Sequence, residues 1–430
     1  MVKHNIGQTR RRFIKTAASS SAAVGLGALA GCVSSRGESR EAVGSVANLE
    51  NSYWLSWQKG YEEACETFGY DTNLQTNGGD VDQQQSQFDT AVASMVEMIV
   101  GQTYTNAAAL SLAETAVVGE VPTILAVTIA DWYTPLDAGS QYVQFFTPHF
   151  VNHAYTSAKV LFEEMGGEGS FVHIEGNRGT APNTGRNIGL EAALEEYPDI
   201  ERLEPVLQGN FIRTDARDAM SDLISTHGDD IEGFFGQNDD VAIGGLQRLE
   251  ESGYDVPVVG IDATEPALER IRDGRMAGSI SGMGPWQAGW SIAKAHDFIE
   301  GYELSDAERM MTFNAPLVVA DPDEWRDRIG DEIALPIIEV DQYEDAIFDG
   351  ETPYDWEQMS KAEVGEDEWD PQIEMSPMGR DDLQGVLDWD TDDIPDGYSL
   401  PEVYDNTDEL ATVQSTYDEQ FDTDPLQEQP

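Results

Sequence analysis

Between residues 42 and 320, short apolar runs alternate with longer amphipathic ones. A short apolar run bounded by turn residues is typical of a buried strand, whereas an apolar residue every three or four positions is typical of a helix. One predicted helix carries Trp57, Tyr61 and Phe68 on a single face and is followed by Gly69, a residue type that commonly ends helices. Strands that alternate with helices predict parallel sheets covered on both faces, and therefore an α/β fold.

This pattern also fixes the positions of the expected elements. We predict strands over 42–47, 98–100, 123–127, 170–174, 206–208, 233–235 and 256–261. We predict helices over 53–68, 82–95, 106–118, 184–196, 216–226, 239–252 and 266–273. Ligands of parallel sheets bind outside the carboxyl ends of the strands. The residues that directly follow each strand are therefore the candidates for a binding site.

The first 31 residues predict a signal rather than part of a folded domain. Arg10 and Arg11 open a basic cluster, and a small, apolar run extends from there towards Cys32. The run is too short to span a membrane, and this order of regions is typical of an export signal. The two arginines resemble a twin-arginine signal. The Leu-Ala-Gly-Cys sequence that ends at Cys32 resembles a lipobox, which implies a lipid anchor on the outer face of the cell membrane; a chance apolar tail is the alternative.

The chain is strongly acidic, with 81 Asp and Glu against 24 Lys and Arg and a formal net charge of -57. Because 40% of its residues are hydrophobic, it has enough apolar side chains to form a core. Acidic residues spread over a foldable chain are typical of adaptation to high salt, and we interpret the source as a halophilic archaeon. Such a surface repels nucleic acid. Two cysteines predict no disulfide framework, and Cys65 is predicted to be a small buried residue.

Six short motifs follow one another in a defined order. They are NLENSYW at 48–54, GDVDQQQSQ at 79–87, RNIGL at 186–190, QNDDVAIGG at 237–245, VGIDATEPAL at 259–268 and IRDGRMA at 271–277. In this order and spacing they resemble the motifs of the ribose/galactose class of type I periplasmic solute-binding proteins of ABC importers. Each motif alone is a weak signal, but together they cover the chain from residue 42 to about residue 320.

The resemblance implies two doubly wound α/β lobes with parallel sheets, joined by a three-stranded hinge and followed by an acidic C-terminal extension. The expected segments are a signal at 1–31, a tether at 32–41, lobe 1 at 42–147 plus 283–316, lobe 2 at 148–282 plus 317–344, and the extension at 345–430. The extension is rich in Asp and Glu but also contains Trp356, Trp369 and Trp389. It is either a solvated, partly disordered tail or a segment that docks on the body through its aromatic residues.

The resemblance also implies the ligand contacts. A sugar requires paired donors and acceptors, an arginine fork and aromatic plates. The expected contacts are Asn51, Tyr53, Trp54, Thr103, His149, Arg186, Asn238, Asp262 and Trp286. Three alternatives stay open, namely a surface ion pair for Arg186, core packing for Trp54 and a helix cap for Asp262. Asp239 is predicted to be a helix N-cap rather than a ligand contact.

The chain departs from the family's pattern within the expected pocket. Val127 and Thr128 stand where the family has an Asp-Arg pair, and Gly282 stands near the family's late glutamine. Trp286 lies close to that position and is expected to fill the space. These departures leave the ligand open among sugars, nucleosides, polyols and other small polar solutes. His149 has no spaced partner, so it does not predict a metal site.

The function implied is that of the extracytoplasmic substrate-binding component of an ABC importer. Such a protein captures a small polar ligand, here expected to be a sugar, and closes around it by bending at its hinge. A binding partner of a chemotaxis transducer is the alternative. The sequence contains no metal-binding spacing, nucleophile elbow or phosphate loop, so we expect neither an enzyme nor a cofactor. The expected partners are the ligand, the permease subunits and the lipid anchor, without nucleic acid. We expect a monomer, since each pocket is complete in one chain.

Overall fold

The computed structural model describes residues 40–427. The predictions for Arg10, Arg11 and Cys32 lie outside the described residues. Within that range the chain forms two α/β lobes, each built on its own sheet. The predicted fold class is therefore confirmed.

The strands are short and most of their residues are buried. In chain order they are β1 (Glu41–Val46), β2 (Asp71–Thr76), β3 (Met98–Gln102), β4 (Thr123–Ala126), β5 (Tyr142–Pro148), β6 (Gly169–Glu175), β7 (Ile200–Arg202), β8 (Leu207–Gln208), β9 (Gly233–Gly236), β10 (Val258–Asp262), β11 (Gly278–Ser281), β12 (Met310–Phe313), β13 (Leu317–Val319), β14 (Ile337–Glu339) and β15 (Met375–Pro377).

The first sheet, which defines lobe 1, has the strand order β15-β12-β5-β4-β3-β1-β2. Its strands are parallel except β15, which runs antiparallel to β12. The second sheet, which defines lobe 2, has the order β14-β13-β11-β10-β9-β6-β7, with β8 beside β6. Here β13 runs antiparallel to β11. Because the central strands of both sheets are parallel, their carboxyl ends meet at one edge of each lobe, where loops are free to form a site.

Helices connect the strands and cover the sheets. They are α1 (Ser52–Phe68), α2 (Val81–Ser94), α3 (Asn106–Val118), α4 (Pro135–Ala138), α5 (Phe150–Glu164), α6 (Ala181–Glu196), α7 (Arg213–His227), α8 (Asp239–Glu251), α9 (Glu265–Arg272), α10 (Gly284–Glu300), α11 (Pro322–Ile329), α12 (Val340–Ile347), α13 (Lys361–Val364), α14 (Arg380–Leu387) and α15 (Thr407–Gln420). Helix α1 packs on α10, α5 on α6, and α7 on α8. Over residues 40–427, no helix combines the length and apolarity needed to cross a membrane.

Helix α1 shows how the local sequence fixes both ends of a helix. The side chain of Asn51 accepts a hydrogen bond from the backbone N–H of Tyr53 and caps the helix, as asparagine commonly does. The helix ends at Gly69, whose φ of 70° lies in the left-handed region that glycine adopts without strain. Cys65 is fully buried on the same helix, as predicted.

The chain passes between the two sheets in three short segments. His149 leads from β5 to α5, residues 282–283 lead from β11 to α10, and residues 314–316 lead from β12 to β13. At the first segment the backbone N–H of His149 donates to the carbonyl of Phe313 at 2.9 Å. The first and third segments therefore lie side by side, a suitable arrangement for a hinge.

Residues 345–427 pack on the body, so the solvated alternative does not describe them. Trp356, Trp369 and Trp389 are all buried. The ring of Trp356 lies against Gly289 of α10, where a Cβ atom would come within 2.1 Å of it. Helix α14 also contacts α5 and α6 of lobe 2. The segment therefore touches both lobes, and β15 extends the sheet of lobe 1.

A candidate ligand cleft between the lobes

A cavity of about 680 Å³ lies between the lobes and is lined by loops from both. Its walls include the residues that follow β1, β3 and β4 in lobe 1 and β6, β9 and β10 in lobe 2. These are carboxyl ends of parallel strands, where the alternating pattern places a site. The volume falls within the range of small-molecule pockets, about 300 to 1,000 Å³.

An ionic network forms the lobe 2 wall of the cavity. Arg186 of α6 donates from Nη2 to Oδ1 of Asp262 at 3.3 Å, and from Nη1 to the carbonyl of Gln237 at 2.8 Å. Asn238 donates from Nδ2 to Oδ2 of Asp262 at 3.1 Å. Arg186 is only 7% exposed, so it is not part of a surface ion pair. A buried ion pair of this kind needs further hydrogen bonds to offset its desolvation, and the carbonyl and amide provide them.

Burial shapes the acid–base properties of this wall. It raises the pKa of Asp262 above its ordinary value, and the Arg186 guanidinium opposes that rise. Burial also raises the pKa of Asp239, with the charge of Asp262 as a second cause. Asp262 has a φ of 124°, an unusual conformation for a residue other than glycine, and such conformations concentrate at functional sites.

Asp239 supports the wall but does not cap its helix, so that prediction was wrong. The N-cap of α8 is Asn238, whose Oδ1 accepts from the backbone N–H of Val241 at 3.0 Å. Asp239 is fully buried and accepts from the hydroxyl of Ser279 at 2.6 Å and from the backbone N–H of Thr264 at 2.7 Å. It therefore ties β11 and the start of α9 to α8 behind Asp262.

Aromatic rings and amides form the lobe 1 wall. Tyr53 and Trp54 meet edge to face, with ring centroids 5.0 Å apart. The hydroxyl of Tyr53 accepts from Nε2 of Gln102 at 2.7 Å, and that nitrogen also lies 3.4 Å from Oε1 of Gln287. The tyrosine hydrogen is thus left to donate elsewhere.

Two phenylalanine rings flank the arginine on the lobe 2 side. The guanidinium carbon of Arg186 lies 5.7 Å from the ring centroid of Phe150 and 5.6 Å from that of Phe211. These distances are within the range of cation–π attraction. Together with Tyr53 and Trp54, the rings give the cavity aromatic surface on both lobes, which suits the CH face of a flat, cyclic ligand.

The lobes touch each other directly around the cavity. Asn51 donates from Nδ2 to the carbonyl of Phe211 at 3.5 Å. Asn177 donates from Nδ2 to the hydroxyl of Tyr104 at 3.3 Å. The backbone N–H of Asn106 donates to the carbonyl of Gly179 at 3.3 Å. These bonds join lobe 1 to lobe 2, so the structure is a closed arrangement of the lobes.

Most of the predicted contacts come together at this cavity. Those that line it are Asn51, Tyr53, Trp54, Thr103, Arg186, Asn238 and Asp262. Thr103 uses its hydroxyl hydrogen within lobe 1, since its Oγ1 lies 3.3 Å from the carbonyl of Thr128. Towards a ligand, Oγ1 of Thr103 can therefore only accept a hydrogen bond.

The structure places two predicted contacts elsewhere, and these interpretations are corrected. Trp286 is fully buried, stacks on Trp290 and donates from Nε1 to the carbonyl of Pro371 at 2.8 Å. It faces lobe 1 and the C-terminal segment because it lies in the first turn of α10, which covers the sheet. His149 caps α5 by accepting from the backbone N–H of Asn152 at 3.2 Å, and it does not line the cavity.

Several cavity residues were not predicted from the sequence. Gln102 is the last residue of β3 and was missed because the predicted strand ended two residues earlier. Gln287 lies in α10, beyond the last predicted helix, and Phe211 lies in the loop before α7. His153 lies one turn into α5, a helix that was not predicted. Within the described part of the chain, no group of three or more His, Cys, Asp or Glu is arranged to hold a metal ion.

Comparisons with known proteins place this chain in a family. The model of the periplasmic binding protein domain matches residues 43–303. The xylitol-binding protein of Mycolicibacterium smegmatis is 32% identical over 147 residues, which are 34% of this chain and 42% of that protein. The ribose import binding protein of Bacillus subtilis is 22% identical over 276 residues, 64% of this chain and 84% of that protein.

A solved structure agrees with these relatives. The periplasmic solute binding protein of an ABC transporter from Actinobacillus succinogenes, with bound D-allose, has a TM-score of 0.59 and 23% identity. The comparison covers 65% of this chain and 97% of that one, and at this identity it shows the shared fold. Since the domain model matches more than half of the sequence, the chain belongs to the periplasmic binding protein domain family.

Proposed function

We propose that this protein is the extracytoplasmic substrate-binding component of an ABC importer and that it captures a small polyhydroxylated ligand of the sugar class. The observation that carries the proposal is the cavity between the lobes, in which the Arg186–Asp262–Asn238 network faces Tyr53 and Trp54. The lobe 2 wall supplies charged and amide groups in fixed positions, and both walls supply aromatic surface.

The hydrogen-bonding capacity of the polar wall suits hydroxyl groups. Each oxygen of Asp262 accepts one bond from the protein and keeps a further lone pair for a ligand hydroxyl. Asn238 keeps one of its two amide hydrogens after donating to Asp262. A hydroxyl both donates and accepts, so one hydroxyl can satisfy a carboxylate and a neighbouring amide together. Hydrogen bonds to charged groups of this kind are stronger than those between neutral groups.

The relatives support the ligand class. They include proteins described as binding xylitol, ribose and D-allose, which are small neutral molecules with several hydroxyl groups. The residues that interrupt the family's pattern, Val127 and Thr128, line the same cavity. We infer that they change which member of this class binds rather than the class itself.

The mechanism we infer is closure of the two lobes over the ligand. A ligand that contacts both walls binds the closed state better than the open state, and so shifts the population towards closure. The direct hydrogen bonds between the lobes, such as that from Asn177 to Tyr104, also stabilise the closed state. The permease would then recognise the closed protein, with one complete cleft in each monomer.

We further infer that the protein is exported and anchored, and that it works at high salt. The support is the sequence alone: Arg10 and Arg11 for twin-arginine export, Cys32 for the lipid, and the net charge of -57 for the salt. Replacement of Cys32 by Ser should release the protein from the membrane fraction into the medium. Retention of the Cys32→Ser variant on membranes would contradict the anchor.

A thermal-shift panel tests the ligand class. The purified protein, in molar salt, is heated with pentoses, hexoses, polyols, nucleosides and amino acids. A ligand at a hundred times its dissociation constant should stabilise the fold by about 2.7 kcal/mol. A shift with a sugar or polyol that disappears in Asp262→Ala supports the proposal. A shift confined to amino acids or nucleosides overturns the sugar class but keeps the binding function.

A further inference from the structure

His153 lies in the wall of the cleft, although it is not one of the ligand contacts predicted from the sequence. It projects from α5 of lobe 2, is 1% exposed, and lines the cavity together with Phe150 and Arg186. A buried polar group must find a hydrogen-bond partner or its burial is costly. The partners of its two ring nitrogens therefore indicate what the side chain does.

One nitrogen of the ring is held by the hinge. The backbone N–H of Ala315, in the third segment between the lobes, donates to Nε2 of His153 at 3.2 Å. A nitrogen that accepts a hydrogen bond carries no proton, so the proton of the neutral ring lies on Nδ1. The ring is neutral because burial lowers the pKa of His153 well below its ordinary value, with the charge of Arg186 acting in the same direction.

The other nitrogen is left without a protein partner. Among the described residues, none accepts a hydrogen bond from Nδ1 of His153. Both ring nitrogens of His173 are fully enclosed and unpartnered, but Nδ1 of His153 is not among such enclosed atoms. His153 lines the cavity, so we infer that this open, unbonded nitrogen is the part of the ring that faces the cleft. A donor in this position is available to whatever fills the cleft.

We propose that His153 donates a hydrogen bond from Nδ1–H to an oxygen of the bound ligand, and that it thereby selects ligands with an acceptor oxygen at this point. The inference rests on the proposed function, because it concerns the same cleft. Because the Ala315 N–H donates to Nε2, the proton of the neutral ring lies on Nδ1. The hinge segment therefore makes His153 a hydrogen-bond donor towards the cleft. A ligand that presents an N–H there would leave two donors facing each other, which is unfavourable.

The first measurement needs no ligand. Nitrogen-15 NMR of the purified protein, with labelled histidine, distinguishes the two neutral tautomers of each ring. The signals are assigned with the His153→Gln variant. We expect His153 to be in the Nδ1–H form. An Nε2–H form, or a charged ring at neutral pH, would overturn the inference whether or not any sugar binds.

Two variants then separate the two nitrogens. His153→Gln places an oxygen near Nε2, which keeps an acceptor for Ala315 but removes the donor to the cleft. His153→Asn places its amide near Nδ1, which keeps a donor to the cleft but removes the acceptor. With xylitol, D-ribose and D-allose as probes, we expect Gln to weaken binding of the active probe about tenfold and Asn to weaken it less. The melting temperature should fall more for Asn.

Replacement of His296, a buried histidine of α10 that bonds to Tyr70 and Glu363, serves as the control. His296→Gln should lower stability without changing probe affinity. If His153→Gln binds the probe as tightly as the original protein, or if affinity simply follows melting temperature in both variants, His153 has only a structural role. If no sugar or polyol of the thermal-shift panel stabilises the unsubstituted protein, the proposed sugar function fails, while the tautomer still decides whether Nδ1 carries the donor hydrogen.

Discussion

The two walls of the cleft achieve binding chemistry in different ways. The lobe 2 wall consists of charged groups that are already bonded to one another and to the backbone, as in the Arg186–Asp262 pair. The lobe 1 wall is mainly uncharged and presents rings and amides such as Trp54 and Gln102 beside the exposed carboxylate of Glu50. Charges taken out of water require fixed partners at a far higher cost than uncharged amides do, and the faces of aromatic rings require none. We therefore expect the lobe 2 wall to determine whether a ligand binds at all, and the lobe 1 wall to determine how tightly.

The largest effect should come from breaking the ionic pair. Arg186→Ala leaves Asp262 buried without its cation, and removal of one partner of a buried pair costs about 3–5 kcal/mol. We expect the unfolding free energy to fall by about that amount and binding to fall about a hundredfold or more. Denaturant unfolding measures the free energy of unfolding, and calorimetry measures ligand binding. Arg217, whose pair with Glu251 is exposed on α7, is the matched control, and Arg217→Ala should change neither.

On the lobe 1 wall we expect an effect on affinity alone. Trp54 is half-buried and packs edge to face on Tyr53, so Trp54→Ala removes ligand contact area but little core packing. Binding should weaken about tenfold, with a small change in melting temperature. The neighbouring Leu55 is 51% exposed and does not line the cavity, so Leu55→Ala is the control. A loss of binding as large as that of Arg186→Ala would abolish the contrast between the walls.

Acidity should affect the two walls unequally. The raised pKa of Asp262 means that the folded protein binds this proton more readily than the unfolded chain. Its contribution to stability is therefore complete below the unfolded pKa of about 4 and is lost as pH rises through the raised folded value. Ligand binding should change in the opposite sense, weakening severalfold as pH falls towards 4, because a protonated carboxyl loses acceptor capacity.

The test is to measure the stability and the ligand affinity of Asp262→Asn as functions of pH. This variant should show a flatter pH dependence of stability and of affinity than the original protein, while Trp54→Ala should keep the original pH dependence. An unchanged profile in Asp262→Asn would assign the dependence to another group.

The smallest effect should come from the contacts between the lobes. Tyr104→Phe removes the acceptor for Asn177, a partly exposed bond, and single hydrogen bonds contribute about 1 kcal/mol. We expect a severalfold loss of affinity, mainly through faster release of the ligand, since the closed state is weakened. Stopped-flow measurements resolve the rates. Asn177→Ala should add nothing further in the Tyr104→Phe background; additive losses would show that the two residues act separately.

The sequence predicted the fold class because the alternation of strands and helices is a local signal. Helix α3 spans the predicted residues, Asn106–Val118, and Arg186, Asn238 and Asp262 meet because each follows or faces the carboxyl end of a parallel strand. The signal weakened where elements became fully buried or short. Helix α10 is buried on most of its surface, so it lacks a polar face that would reveal its period or show that Trp286 points away from the cleft.

The C-terminal residues show a second reason for the limits of prediction. Strand β15 has only three residues, too few for its alternation of buried and half-buried side chains to reveal a strand in the sequence. It forms by pairing with β12. Likewise, nothing near His153 in the sequence indicates that Ala315, in a distant segment, holds one of its nitrogens. Contacts of this kind depend on tertiary structure and leave no periodic trace in the chain.

Strand β15 also has a consequence for how copies of the protein behave beside one another. It pairs with β12 from Met311 opposite Pro377 to Phe313 opposite Met375. Without it, the backbone groups of β12 would lie unpaired at the rim of the sheet, where another chain could add as a neighbouring strand. The proline closes the new rim because it lacks an N–H to offer. The C-terminal segment thus covers this edge of the sheet, and we expect a protein ending at residue 344 to self-associate more readily.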